Sequence, residues 1–153
     1  QINFKIMKKY IPFLLLTITL LTSSCDKCNE GDKATPASIF VEVIDETTLE
    51  NVFENESFTA AQISVKDLED ELIPFNFIPN NNLIQLFPNT ENPIGNTFII
   101  TLNNETTSTM EEITITHDVS ATNEECYTTY KIENVQVPNN SSELVNGIYV
   151  IKM

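Results

Sequence analysis

Carboxylate side chains crowd two short stretches of the sequence, and clustered oxygen ligands on loops are the chemistry that Ca²⁺ prefers. The acidic residues are Asp67, Glu69, Asp70 and Glu71 in one stretch, and Asp45, Glu46 and Glu50 in the other. Neither stretch has the spacing of an EF-hand loop, and no glycine lies between residues 31 and 95. We interpret both as solvated acidic turns, with weak Ca²⁺ ligation in the first as the alternative, and we predict no cofactor.

The single histidine of the sequence, His117, stands next to Asp118, and such a pair could supply the base and the orienting acid of a hydrolase. A nucleophile must complete that site, but the sequence has no Gly-x-Ser-x-Gly elbow. A zinc site would need carboxylate partners for this one histidine. We therefore predict no catalytic residue, and we expect His117 to end a strand.

Two placed carboxylates could also hydrolyse glycosides, provided that a sugar cleft holds them in position. Aromatic platforms for a sugar are scarce, because the chain has no tryptophan and only three tyrosines beyond residue 25, namely Tyr127, Tyr130 and Tyr149. The sequence therefore predicts a protein that is not an enzyme, with a small hydrolase that uses acidic residues as the alternative.

The stretch from Met7 to Cys25, MKKYIPFLLLTITLLTSSC, has two lysines, an apolar run and small residues before a cysteine, which is the layout of a secretory signal. Its apolar run, Ile11 to Leu21, has 11 residues, whereas a membrane-spanning helix needs about 20. The end of the stretch resembles the lipobox of bacterial lipoproteins of the Bacteroidota type, although Thr22 stands where the favoured pattern has leucine. An ordinary cleaved signal is the alternative.

The resemblance implies cleavage before Cys25 and a lipid on its thiol. The lipid would hold the protein at the cell envelope, with the outer membrane favoured over the inner one. We take residues 1–24 as the signal, of which 1–6 are a gene-model extension, residues 25–37 as a lipidated tether, and residues 38–153 as the folded domain.

Three cysteines are present, and lipidation of Cys25 would leave Cys28 and Cys126 as a disulfide candidate in an oxidising compartment. The alternative is a buried free thiol at Cys126. The Cys25-x-x-Cys28 spacing is not followed by the helix of a redox motif, and no second cysteine pair is present to complete a zinc ribbon.

From residue 25 onward the sequence has five lysines, no arginine and 22 acidic residues, which gives a net charge of −17. Nucleic-acid binders need a basic surface, because lysine and arginine displace the counterions of the phosphates. Nucleic acid is therefore excluded as a partner, and we interpret the excess acid as a surface that keeps the domain in solution.

Short runs rich in valine, isoleucine, phenylalanine and threonine, separated by turn-forming residues, predict an all-β domain. The predicted strands are 39–44, 62–66, 72–78, 83–87, 97–102, 111–117, 127–137 and 147–153, with an irregularity inside 127–137. Seven to eight such strands favour a single antiparallel β-sandwich, Ig-like or transthyretin-like. Pro74 marks strand 72–78 as an edge strand or a bulged one, and a helical turn is expected near Leu144 or in 110–112.

Two resemblances agree with this fold. The pattern Val41-x-Val43-x-Asp45-x-x-Thr48 resembles the opening of carboxypeptidase regulatory-like (transthyretin-like) β-sandwich modules. The whole sequence is similar to small Bacteroidota lipoproteins whose β domains end in a Gly-x-Tyr strand, as residues 147–149 do here. Both imply a sandwich, and neither implies an activity.

We therefore expect a lipid-anchored binding or structural module, with the membrane and a protein or glycan of the envelope as its partners. The alternatives are a small envelope hydrolase and a Ca²⁺-binding, adhesion-type module.

Replacement of Cys25 by alanine should separate the protein from the membrane. In a bacterial host the wild-type chain should partition into detergent, because a diacylglycerol-bearing thiol is strongly apolar. The Cys25→Ala chain should be released or stay unprocessed, as measured by detergent phase separation and immunoblotting, whereas Cys28→Ala should partition like the wild type. A fully cleaved Cys25→Ala protein that remains in the detergent phase would contradict the lipid anchor.

Overall fold

A computed structural model describes residues 37–153, which form two β-sheets packed face to face. The strands are β1 (Ile39–Ile44), β2 (Ile63–Lys66), β3 (Phe75–Ile78), β4 (Leu83–Leu86), β5 (Asn96–Asn104), β6 (Thr109–Asn123), β7 (Thr128–Gln136), β8 (Ser141–Val145) and β9 (Ile148–Lys152). A three-residue 3₁₀ helix, Ala60–Gln62, precedes β2. Within the described range, no helix has the length and apolar character needed to cross a bilayer. The predicted signal, lipid site and tether up to residue 36 lie outside the described residues.

The first sheet has the order β3-β4-β1-β9-β8, and the second has the order β2-β5-β6-β7. Neighbouring strands are antiparallel except β1 and β9, where Phe40 lies opposite Ile148 and Ile44 lies opposite Lys152 in parallel register. The predicted all-β sandwich is therefore confirmed, with nine strands in place of the predicted seven to eight.

Apolar side chains on alternate positions of both sheets form the core. The fully buried members on the strands include Val41 and Val43 of β1, Ile84 and Leu86 of β4, Ile100 and Leu102 of β5, Ile113 and Ile115 of β6, and Ile151 of β9. Because successive side chains of a strand point to opposite faces, this alternation fixes which face of each sheet lies inside. Removal of these side chains from water is the main stabilising contribution to the sandwich.

The additional strand is β8, which lies where the sequence predicted a loop and a helical turn near Leu144. It pairs with β9 in a tight hairpin in which Val145 lies opposite Ile148. Asn146 and Gly147 connect the two strands with φ values of 51° and 84°. Two positive φ angles define the type I′ turn that Asn-Gly favours in hairpins, so this dipeptide was the signal for β8. The helical turn expected in 110–112 is also absent, since these residues belong to β6.

Two predictions about irregular strands can be compared directly with the structure. β3 is an edge strand, as predicted, but it begins at Phe75 and not at Leu72, because Pro74 has no N–H to contribute to the ladder. The irregularity in β7 is confirmed as a bulge: Thr116 pairs with Gln136 and Asp118 with Glu133, so two residues of β7 oppose His117 alone. One of the two, Asn134, has a φ of 53°, a conformation that asparagine tolerates better than most residues.

The prediction that His117 ends a strand is wrong. β6 continues six residues further, to Asn123, and its inward alternation runs without a break through Ile115, His117 and Val119. The extension is stable because β7 pairs with this part of β6, whereas β5 pairs with the part before it.

Cys126 lies in the turn between β6 and β7 and is disulfide-bonded. Its partner lies outside the described residues, so the predicted pairing with Cys28 stays a prediction. The chain enters β1 after Ala37, which borders a shallow groove shared with Tyr130 and Ile132 of β7.

We expect Cys126 to pair with Cys28. Closing a loop of roughly 100 residues stabilises the folded state by about 4–5 kcal/mol in the chain-entropy model, so reduction should lower the melting temperature markedly. Alkylation without reductant, followed by intact-mass measurement, should leave Cys126 unlabelled in the wild type and labelled in Cys28→Ala. Protection of Cys126 in Cys28→Ala would assign the bond to Cys25 instead.

Candidate functional site

A pocket of about 530 Å³ opens at one end of the sandwich, between the two connections that cross from sheet to sheet there. One wall is the β2–β3 connection, residues 67–74, and the other is the β4–β5 loop together with the first two residues of β5, residues 89–97. Phe87, Phe98 and His117 line the inner part. Its volume lies within the range of small-molecule sites, which are usually apolar with a few placed polar groups.

His117 is the polar group at the inner end of this pocket. Its side chain is 2% exposed, and its ring stacks on that of Phe98, with the ring centroids 4.6 Å apart and the planes 17° apart. Neither ring nitrogen has a hydrogen-bond partner among residues 37–153. Buried polar atoms are nearly always hydrogen-bonded, and an orphan costs about 1–3 kcal/mol. An unsatisfied imidazole in a pocket wall therefore indicates a group placed for a ligand.

Burial also sets the charge state of this imidazole. Loss of hydration lowers the pKa of His117 below its ordinary 6.5, and the neighbouring Asp118 carboxylate opposes this shift only in part. The ring is therefore neutral at physiological pH. A neutral imidazole offers one N–H donor and one nitrogen acceptor to whatever occupies the pocket.

Asp118 points to the opposite face of β6 and holds the outer wall of the pocket. Its Oδ1 accepts the Gly95 N–H at 2.9 Å, and its Oδ2 accepts the Asn134 Nδ2–H at 2.7 Å. The Asn134 hydrogen bond, and then that of Gly95, hold the pKa of Asp118 below its ordinary value. A second tie, from the Val119 N–H to the Pro93 carbonyl at 2.9 Å, fastens the same loop to β6.

His117 and Asp118 are therefore neighbours in sequence that do not form a base–acid dyad. The carboxylate is bonded to the β4–β5 loop and to the β7 bulge, not to the imidazole. Asp118 is a positioning residue for the pocket wall.

Exposed apolar side chains surround the mouth of the pocket. Leu68, Leu72 and Ile94 are 67%, 74% and 81% exposed, and all three line it. Single exposed apolar residues are ordinary, but three that converge on one opening form the kind of patch that marks a binding surface.

The first acidic stretch forms the turn in the β2–β3 wall, where its residues have two different roles. The Asp67 Oδ1 accepts the N–H groups of Glu69 and Glu71, each at 2.9 Å, and the Asp70 carboxylate lies 3.2 Å from Lys66 Nζ. In the described part of the chain, the Glu69 and Glu71 carboxylates have no hydrogen bond or ion pair, and both residues line the pocket. Asp67 and Asp70 therefore make interactions within the turn, whereas the carboxylates of Glu69 and Glu71 are available to a ligand of the pocket.

Ca²⁺ ligation has no ligand cluster to support it in this range. Across residues 37–153, no three histidine, cysteine, aspartate or glutamate side chains are grouped to hold a metal ion. In the second acidic stretch, the Asp45 Oδ1 accepts the N–H groups of Thr47 at 2.8 Å and Thr48 at 2.7 Å. These bonds, that of Thr48 first, lower the pKa of Asp45, which caps its own turn.

The sequence prediction named four residues of the pocket, Asp67, Glu69, Glu71 and His117, but did not identify the apolar residues that line it. Phe98 falls inside the predicted strand 97–102, and Ile94 falls between two predicted strands. The available signal was Ile94, an apolar residue between Pro93 and Gly95. A side chain in such a loop has no core to pack against, so it is expected to be exposed.

Comparison of the chain with protein-family models, curated proteins and solved structures found no match. The function of the pocket is therefore argued from its own chemistry.

Replacement of His117 by phenylalanine should not lower the free energy of unfolding and could raise it by up to about 1–3 kcal/mol. The change removes two unsatisfied buried nitrogens and keeps the stacking surface on Phe98. Urea unfolding at pH 7 measures this. Ile115→Ala on the same inner row is the contrasting change and should cost about 2–5 kcal/mol. A loss above 2 kcal/mol in His117→Phe would show that the ring is satisfied in the folded state.

The same variant should change how stability depends on pH. The folded-state pKa of His117 is depressed, so below about 6.5 the unfolded chain binds a proton that the folded chain does not, and stability falls. Unfolding curves between pH 7 and pH 5 should therefore show a decline in the wild type that is smaller in His117→Phe. Equal slopes would contradict a buried neutral imidazole.

Proposed function

We propose that this protein is a lipid-anchored, extracytoplasmic binding module whose ligand site is the pocket at the end of the sandwich. The observation that carries this proposal is His117: it is nearly fully buried, unpartnered among the described residues, and in the wall of a cavity large enough for a small molecule. A domain that served only as a spacer would have no need of such a group there.

The anchor in this proposal comes from the sequence, through the lipobox resemblance at Cys25. The twelve residues from Cys25 to Pro36 span at most about 40 Å when fully extended. The chain enters β1 beside Leu86, which pairs with Ile39 and directly precedes the pocket residue Phe87. The pocket therefore opens at the tethered end, where it would meet ligands close to the membrane surface.

A hydrolase is the weaker interpretation of the same pocket. Catalysis by His117 would need a nucleophile and an orienting acid within hydrogen-bond reach. Among residues 37–153 its ring nitrogens contact neither, and Asp118 is bonded elsewhere. Binding requires only the donor and acceptor that the ring already presents.

The pocket should bind small amphipathic compounds in solution. Mature protein in lipid nanodiscs, labelled on isoleucine methyl groups, would be titrated with a mixture of arylalkyl alcohols and amines. Saturable shifts are expected at Ile73 and Ile94, which line the pocket, and not at Ile44 or Ile78, which do not. Absence of any saturable shift, or shifts at all four residues alike, would contradict the proposed site.

A further inference from the structure

We propose that the ligand of this pocket is a cation, namely a protonated amine on an apolar body. The inference rests on the proposed function and adds the chemical class of the ligand. Three independent features carry it: the charges of the pocket lining, the hydrogen-bonding capacity of the buried His117 ring, and the apolar side chains in the rest of the lining.

The charge of the pocket is entirely negative in the described chain. Two carboxylates without partners, Glu69 and Glu71, line it together with Asp67, and no lysine does. The nearest lysine along the chain, Lys66, is paired with Asp70 at 3.2 Å. Among residues 37–153, an anionic ligand would therefore find no counter-charge in the pocket lining, whereas an ammonium group would be attracted by two carboxylates that have no partner in this range.

The buried end of the pocket needs a hydrogen-bond donor. The neutral His117 ring has one lone-pair nitrogen that no described residue satisfies, and an ammonium group donates three N–H bonds. A charged donor to this nitrogen forms a charge-assisted hydrogen bond, which is stronger than a neutral one. This hydrogen bond would remove part of the free-energy cost of the unsatisfied His117 nitrogen, so binding would be favoured by a cost that the free protein carries.

The rest of the lining selects for an apolar body. Ile73 and Phe87 line the pocket and are partly buried, and Leu72 and Ile94 line it with most of their surface exposed. A small hydrated cation such as Na⁺ would leave these surfaces in water. An alkyl or aryl group on the amine would cover them, and burial of apolar area is favourable by about 25 cal/mol per Å².

Three probes of similar shape but different charge test the contribution of charge alone: 4-phenylbutylamine, 4-phenylbutanol and 4-phenylbutyrate. Calorimetric titration would use the mature protein in phosphatidylcholine nanodiscs, with empty nanodiscs subtracted. The amine should bind at least about fivefold more tightly than the alcohol, because a hydrogen bond from a charged donor is stronger than a neutral one. The butyrate should bind more weakly than the alcohol.

The double variant Glu69→Gln, Glu71→Gln tests the carboxylates directly. Loss of these two exposed carboxylates should lower the affinity for the amine roughly two- to thirtyfold, and the affinity for the alcohol should not change. The matched control is Glu111→Gln, Glu112→Gln, which removes the same charge from an exposed pair on β6 outside the pocket lining. His117→Phe should weaken the amine and the alcohol together, because both donate a hydrogen bond.

The outcomes distinguish this inference from the function on which it rests. Equal binding of amine and alcohol, or equal loss in the two double variants, would overturn the cationic ligand and leave the pocket as a binding site. Tightest binding of the butyrate would overturn it as well. Failure of all three probes to bind would overturn both the inference and the proposed function.

Discussion

The burial of one imidazole on the inner face of β6 is the constraint on which the rest of the site depends. β6 alternates strictly, so once Ile113 and Ile115 face the core, His117 must face it as well. The following residue, Asp118, is then forced outward, where it binds the β4–β5 loop and the β7 bulge. One register therefore places both the polar end of the pocket and the residue that fixes its wall.

This arrangement lowers the stability of the domain, and the rest of the fold compensates for it. The two ring nitrogens, which have no partner among residues 37–153, together cost on the order of 1–3 kcal/mol, a substantial part of the net stability of a domain of this size. The apolar side chains of the two sheets offset that cost, because valine, isoleucine and leucine occupy most of the remaining inward positions. Natural sequences tolerate such a local conflict mainly where function requires it, which is why the pocket, and not the Cys126 turn or the β8–β9 hairpin, is the functional candidate.

Much of the scaffold could be predicted from the sequence, because strand alternation is a local signal. β1 has the predicted bounds, β3 is the predicted edge strand, and the irregularity in β7 was visible as a break in its pattern. β8 was missed because all its side chains are exposed, so its sequence shows no apolar alternation. The only sequence signal of the hairpin was the turn-forming dipeptide Asn146-Gly147. The strand-end assignment of His117 failed because the inward alternation of β6 continues past it to Val119, in the part of the strand that pairs with β7.

The pocket itself could not be predicted, because its walls come from segments that only the folded topology brings together. Residues 67–74, 89–97 and 117 meet because β2 and β5 pair in one sheet while β3 and β4 pair in the other, so their connections cross at the same end. The acidic turn shows the same limit at smaller scale. Its four carboxylates are equivalent in sequence. Hydrogen bonds and an ion pair involve Asp67 and Asp70 in the turn, whereas the carboxylates of Glu69 and Glu71 have no partner among residues 37–153. A chain this acidic presents negative charge almost everywhere. What distinguishes this place is that free carboxylates, exposed apolar side chains and a buried hydrogen-bond acceptor converge on one cavity.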